Sequence, residues 1–223
     1  SLTGLGLCLP IISILMGFAN LCGTGGAPLC SIYRGKGEEE EAERIMGNAF
    51  TLLLIFGAAV TGVFLLFRHP LLYLFGASDA TYPYAEAYMT IYLLGTIFVQ
   101  LSLGLNTFIS AQGKAMPAMC SVLIGAVLNI LLDPLFVLPQ FLGLGAVGAG
   151  MATALSNGAA VACFAVYLVR RRGATYLNLL PANLWYAAQY LRPILAIGFP
   201  SALQYALTVV ATAAQADFVS QYP

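Results

Sequence analysis

Six predominantly apolar stretches, roughly 5–33, 48–67, 84–111, 116–138, 146–169 and 194–219, alternate along the chain with short polar segments. A helix crossing the hydrocarbon core of a bilayer needs about 20 such residues. The pattern therefore predicts an all-α integral membrane protein with six transmembrane helices. The longest stretches exceed one crossing and are expected to tilt or protrude.

Polar residues inside the stretches are few, which makes their placement informative. In SVLIGAVLNILLDPLFVLP (121–139), Asn129 and Asp133 stand one turn apart on one helix face. A carboxylate at bilayer depth costs about 3 to more than 10 kcal/mol, so it should face a cavity or a partner. Pro134 has no N–H, which frees the carbonyl of Ile130. One amide, one carboxylate and one carbonyl in proximity suit a hard cation or a proton. The other reading is that Asp133 caps a local distortion and Pro134 only kinks the helix.

The third stretch carries Tyr84, Tyr88 and Tyr92 at four-residue spacing, then Gln100. Tyr84 suits an interfacial belt. Tyr88, Tyr92 and Gln100 either line an amphipathic cavity or pack. In the fifth stretch, Ala146, Gly150, Ala154, Gly158 and Ala162 form a ridge of small residues that predicts close helix packing. Thr153, one residue off the ridge, is positioned to turn its hydroxyl toward Asp133. In the first stretch Asn20 and Thr24 either line a polar interior or hydrogen-bond a neighbouring helix.

Composition agrees with the pattern. The 223 residues are 60% hydrophobic and 8% charged, with mean hydropathy +0.87, against roughly 25% charged in soluble domains. Formal net charge is zero and no basic face forms, which argues against nucleic acid as a partner. The five cysteines lie in apolar runs and read as small core residues. His69 is the only histidine, so a metal centre or catalytic triad has no second imidazole. No HExxH occurs and no span holds paired carboxylates, which argues against an intramembrane enzyme. The acidic run Glu38–Glu41 suits the start of the second helix, with Glu40 and Arg44 spaced to pair. Glu86 is expected at a hydrated membrane edge.

Charge also gives orientation. Arg34, Lys36, Arg44, Lys114, Arg170, Arg171, Arg172 and Arg192 fall on one side of a six-span topology and only Arg68 on the other. The positive side is expected to be cytoplasmic, with both chain ends on the outer side of a plasma membrane. LLPANLWYAAQYLRP (179–193) reads as an interfacial linker carrying Trp185, Tyr186 and Tyr190. A chain that begins within one apolar stretch and stops just after another is expected to be part of a longer protein.

Five segments in this order, GTGGAPLCSIYRGKGEEEEAERIMGNA (23–49), NTFISAQGKAMPAM (106–119), NILLDPLF (129–136), GLGAVGAGMAT (143–153) and GFPSALQ (198–204), resemble the MATE (multidrug and toxic compound extrusion) family. The resemblance spans essentially the whole chain. It implies most of one lobe of a two-lobe (6+6) transporter plus the first helix of the second lobe. Residues 1–172 would hold helices two to six of the N-terminal lobe, 173–193 a cytoplasmic linker, and 194–223 the first helix of the C-terminal lobe. It further implies a first-lobe cation site to which Asn129, Asp133 and Thr153 contribute, completed by an acid on a helix preceding Ser1. Asp217 would correspond to that acid in the second repeat. Export of amphipathic organic cations by antiport with Na⁺ or H⁺ follows as the expected activity, with Tyr88, Tyr92 and Gln100 as substrate-cavity residues. No cofactor is implied beyond the coupling ion, and the full-length protein is expected to act as a monomer in the bilayer. The alternatives are a flippase for lipid-linked oligosaccharides, which would want a basic residue deep in a span, and a non-transporting structural or receptor protein.

Overall fold

The computed structural model describes residues 2–74, 77–79, 81–171 and 188–220. Seven helices follow in order among them: α1 (Leu2–Gly35), α2 (Glu39–Leu66), α3 (Arg68–Leu74), α4 (Tyr82–Ala111), α5 (Ala115–Val137), α6 (Ala146–Arg170) and α7 (Ala188–Ser220). All but α3 contain a stretch long and apolar enough to cross a membrane. The six-span expectation therefore holds. The 34 residues of α1 extend about 50 Å at 1.5 Å per residue, well beyond one crossing.

Turn chemistry sets the breaks. Gly37, Gly113, Gly143 and Gly145 take positive φ between the long helices, a conformation costly for a residue with a Cβ. The acidic run opens α2 as expected, and Arg44 pairs with Glu40 at 2.8 Å. The span itself begins nine residues before the apolar stretch because these acids suit a helix N-terminus. After α2 the chain does not pass straight into α4. The connection contains α3, whose Pro70 occupies the first turn, where its missing N–H removes no intrahelical bond. The linker expectation for 179–187, with Trp185 and Tyr186, lies outside the described residues, as does the side chain of Asp217. Tyr190 belongs to α7, and its hydroxyl donates to Glu41 of α2.

The helices pack around α1 and α4. Helix α1 contacts α2, α4 and α7, while α6 joins α4 to α5. One buried cluster, including Cys22, Met46, Phe108, Phe164 and Ile194, ties the six long helices together near the positively charged end. A second, including Ile11, Leu15, Leu72, Met89 and Leu93, lies toward the other end and draws on α1 to α4. The seam between α1 and α7 is glycine-made. A Cβ on Gly25 would meet the Ile194 carbonyl, and one on Gly198 would meet that of Leu21.

The small-residue ridge of α6 packs on α4. A Cβ on Gly150 would come within 3.2 Å of Ile91, a Cβ on Gly95 within 2.6 Å of Ala154, and a Cβ on Gly158 within 4.0 Å of Phe98. Ala162, the last of the series, is exposed, so the ridge ends one turn short of expectation. Two of the five cysteines also depart from the core reading, since Cys120 is exposed and Cys163 half-buried.

Candidate functional site

Most polar side chains within the spans satisfy themselves on their own helices. Asn20, Thr24, Thr96, Thr107 and Ser156 each donate to the carbonyl four residues earlier, at 2.6–3.0 Å. Both bonds of Asn20 and Thr24 thus stay within α1 rather than crossing to a neighbouring helix. A donor that returns to its own backbone meets its bonding need without a partner helix.

Asp133 cannot do this. An ionised carboxylate only accepts, and every intrahelical carbonyl is also an acceptor. It sits on the half-buried flank of α5, one turn beyond Asn129, with Pro134 next in the helix. Its Oδ1 is buried and has no hydrogen-bond partner among the described residues. Unpaired buried polar atoms are uncommon in folded proteins.

Helix α6 brings α5 against α4 at this level. A Cβ on Gly148 would lie 2.6 Å from the Phe136 carbonyl of α5, and one on Gly150 3.5 Å from the Tyr88 carbonyl of α4. Both glycines are needed for the three backbones to approach so closely. As a result Asp133 comes within electrostatic range of Tyr88. The Tyr88 and Tyr92 rings lie 5.8 Å apart, and both residues are buried. Thr153 is half-buried on α6, and no hydrogen bond joins it to Asp133 among the described residues. Its carbonyl accepts from Asn157 Nδ2 at 2.9 Å.

Gln100 falls elsewhere. Eight residues past Tyr92, it is about 12 Å further along α4. There it packs against α2, with its Oε1 3.1 Å from where a Cβ on Gly57 would sit. It is 1% exposed, yet neither side-chain polar atom has a partner among the described residues. Thr61, one turn after Gly57, shares this condition at its Oγ1. Sequence reasoning missed Thr61, although its spacing from Gly57 places it on the same helix face. The expected group thus divides in two: Asn129, Asp133, Tyr88 and Tyr92 around α5–α6–α4, and Gln100 with Thr61 on α4 and α2.

At the end of the bundle away from the cluster of positive charges, Glu86 is more than a hydrated acid, since it pairs with Arg68 Nε at 3.0 Å. His69 packs against the rings of Tyr73 and Tyr82, at 4.9 and 5.0 Å, and those two rings stack on each other at 5.3 Å. Tyr73 donates to Asp79 at 2.8 Å, a bond that raises the Tyr73 pKa by holding the phenol proton. No group of three or more His, Cys, Asp or Glu gathers among the described residues. The Asp133 carboxylate, with Asn129 one turn earlier on the same helix, is a donor set of the kind that suits a hard cation or a proton.

Six long apolar helices, packed through glycines and carrying the Asp133 carboxylate within α5, define a multi-pass helical membrane protein. A sequence profile of the MatE family matches residues 1–135, and the chain belongs to that family. It is 31% identical over 206 residues to the multidrug export protein MepA of Staphylococcus haemolyticus, covering 92% of this chain and 45% of that protein. It superposes with TM-score 0.86 and 27% identity on an inward-facing multidrug resistance MATE family transporter of the MOP superfamily, covering 94% of this chain and 47% of that one. The outward-facing conformation of such a transporter gives TM-score 0.82 at 27% identity, covering 92% and 45%. The chain thus spans a little under half the length of the relatives it matches.

Proposed function

We propose that this chain forms most of one lobe of a two-lobe secondary transporter that exports amphipathic organic cations by antiport with Na⁺ or H⁺. The observation that carries the reading is the buried, unpartnered Oδ1 of Asp133, between Asn129 and Pro134 on α5 and within electrostatic range of Tyr88. A carboxylate so held is costly unless a cation or proton joins it. Ion binding then stabilises whichever lobe arrangement offers that site, and release favours the other, which is the differential affinity that alternating access requires. Asn129 supplies an amide oxygen, and Thr153 supplies a hydroxyl once the helices shift to bring it near. Tyr88 and Tyr92 offer aromatic faces suited to an organic cation, and Gln100 a polar contact deeper along the same helix. The family resemblance supplies a further acid from a helix preceding this segment. The positively charged loops would face the cytoplasm, in a plasma membrane, with the full-length protein working as a monomer. None of these steps calls for catalysis.

The test is Asp133→Asn in the full-length protein, read as ion-driven efflux of a cationic dye. The expected result is loss of efflux with membrane insertion unchanged. Undiminished efflux would sink the assignment.

A further inference from the structure

At the positively charged end, three cations from separate helices converge on the turn between α4 and α5. Arg34 at the end of α1 donates from Nη1 to the Gln112 carbonyl at 3.0 Å. Lys114 stands at the N-cap of α5 and Arg171 just past the end of α6. Lys114 and Arg171, with the turn 113–117 and Tyr167, line an open cavity of about 530 Å³. No carboxylate is among the lining residues. Lys114 has its pKa lowered, first by partial burial and then by the charges of Arg171 and Arg34. Like charges this close create a local field that attracts an anion.

Two further features fix the kind of anion. A lysine side chain only donates, so Lys114 in the N-cap position offers the first-turn N–H groups of α5 no acceptor. Those N–H groups and the helix dipole add to the attraction for negative charge. Beside the cavity the surface is apolar. Met116, Met119 and Leu123, exposed along α5, run from the charged turn into the spanning part of the helix. A phosphate with hydrocarbon attached meets both surfaces, whereas a soluble anion meets one.

We propose that this cavity binds the phosphate of an anionic phospholipid, with the acyl chains lying along the exposed face of α5. Arg171 and Lys114 contact the phosphate oxygens, the N-terminus of α5 faces them, and the Tyr167 ring flanks the headgroup. This site stands apart from Asp133 and does not depend on the transport reading.

Native mass spectrometry of the full chain, titrated with phosphatidylglycerol and phosphatidylcholine of matched acyl chains, tests it. The expected result is one phosphatidylglycerol bound at least about fivefold more tightly than phosphatidylcholine. Lys114→Gln and Arg171→Gln should each weaken it about fivefold, the worth of one cation near a charged membrane surface. Lys114→Arg should preserve binding. Lys36→Gln, which removes an exposed cation held over Tyr33, should leave the preference unchanged. Equal retention of the two lipids would overturn the proposal, as would an equal loss in Lys36→Gln. Displacement of the lipid by millimolar inorganic phosphate would overturn it too, because soluble phosphate would then be the ligand.

Discussion

Helices α4 and α5 are neighbours and both are long and apolar enough to cross a membrane, yet they solve burial in opposite ways. Within the most apolar part of α4, 61% of residues are buried inside the chain, against 11% for α5. Helix α4 keeps most of its polar groups satisfied: Thr96 and Thr107 bond back to their own helix, and Asn106 Nδ2 donates to the Ala118 carbonyl of α5 at 3.2 Å. Helix α5 exposes most of its surface and holds the unpartnered Asp133 Oδ1 on its packed flank. One helix serves as scaffold. The other presents most of its surface outward from this bundle and carries a group with no partner among the described residues.

The contrast can be broken most severely in the scaffold. Gly25→Ala puts a methyl against the Ile194 carbonyl and within 3.2 Å of the Gly198 nitrogen. Backbone cannot yield as a side-chain tip can, so α1 and α7 must separate, at about 1–3 kcal/mol or more. Gly62→Ala on α2, where a Cβ meets nothing within 4 Å, should instead be neutral or stabilising by about 0.5–1 kcal/mol. Thermal unfolding in detergent distinguishes them. Equal effects would mean that the glycine seam does not hold the helices.

Next comes the cost of the carboxylate. Asp133→Leu should raise stability by about 1–3 kcal/mol, the usual burden of a buried polar group without a partner, while transport is lost. A fall in melting temperature would show that Asp133 holds the structure together.

A pair of glutamines sharpens the comparison within α4 and its cap. Gln112 Nε2 donates to the Phe108 carbonyl at 3.1 Å, whereas Gln100 has no partner for either polar atom among the described residues. Gln112→Leu should cost about 1 kcal/mol, the net worth of a hydrogen bond, and Gln100→Leu should be neutral or stabilising. The reverse order would place an essential hydrogen bond at Gln100. The smallest effect is expected at the half-exposed Arg68–Glu86 pair. Arg68→Gln should change stability by less than about 1 kcal/mol, and less still in high salt. An effect that survives salt would mark the pair as more than a surface contact.

Much of this was legible in the sequence because membrane helices announce themselves by length and apolarity. The six spans, the Glu40–Arg44 pair and the α6 ridge all follow from spacing on one helix. What spacing cannot reveal is which faces meet. Tyr88, Tyr92 and Gln100 share α4 and read as one stripe, but α6 covers the first part and α2 the second, so the stripe divides. Helix α3 was hidden because seven residues carry too little periodicity to separate a short helix from a turn. Asn20 and Thr24 read as interior-lining or helix-bridging because sequence does not show that a side chain bonds to the carbonyl four residues earlier on its own helix. Asp133 was legible for the opposite reason: no local bond can satisfy a carboxylate.

The central claim is that Asp133 binds the ion that drives export. Its most direct test is substrate-driven Na⁺ and H⁺ flux across proteoliposomes holding the full-length protein, compared with Asp133→Asn. Addition of a transported organic cation should move one of the two ions in the unaltered protein and neither in the variant. Substrate-driven ion flux that persists undiminished in Asp133→Asn would contradict the account.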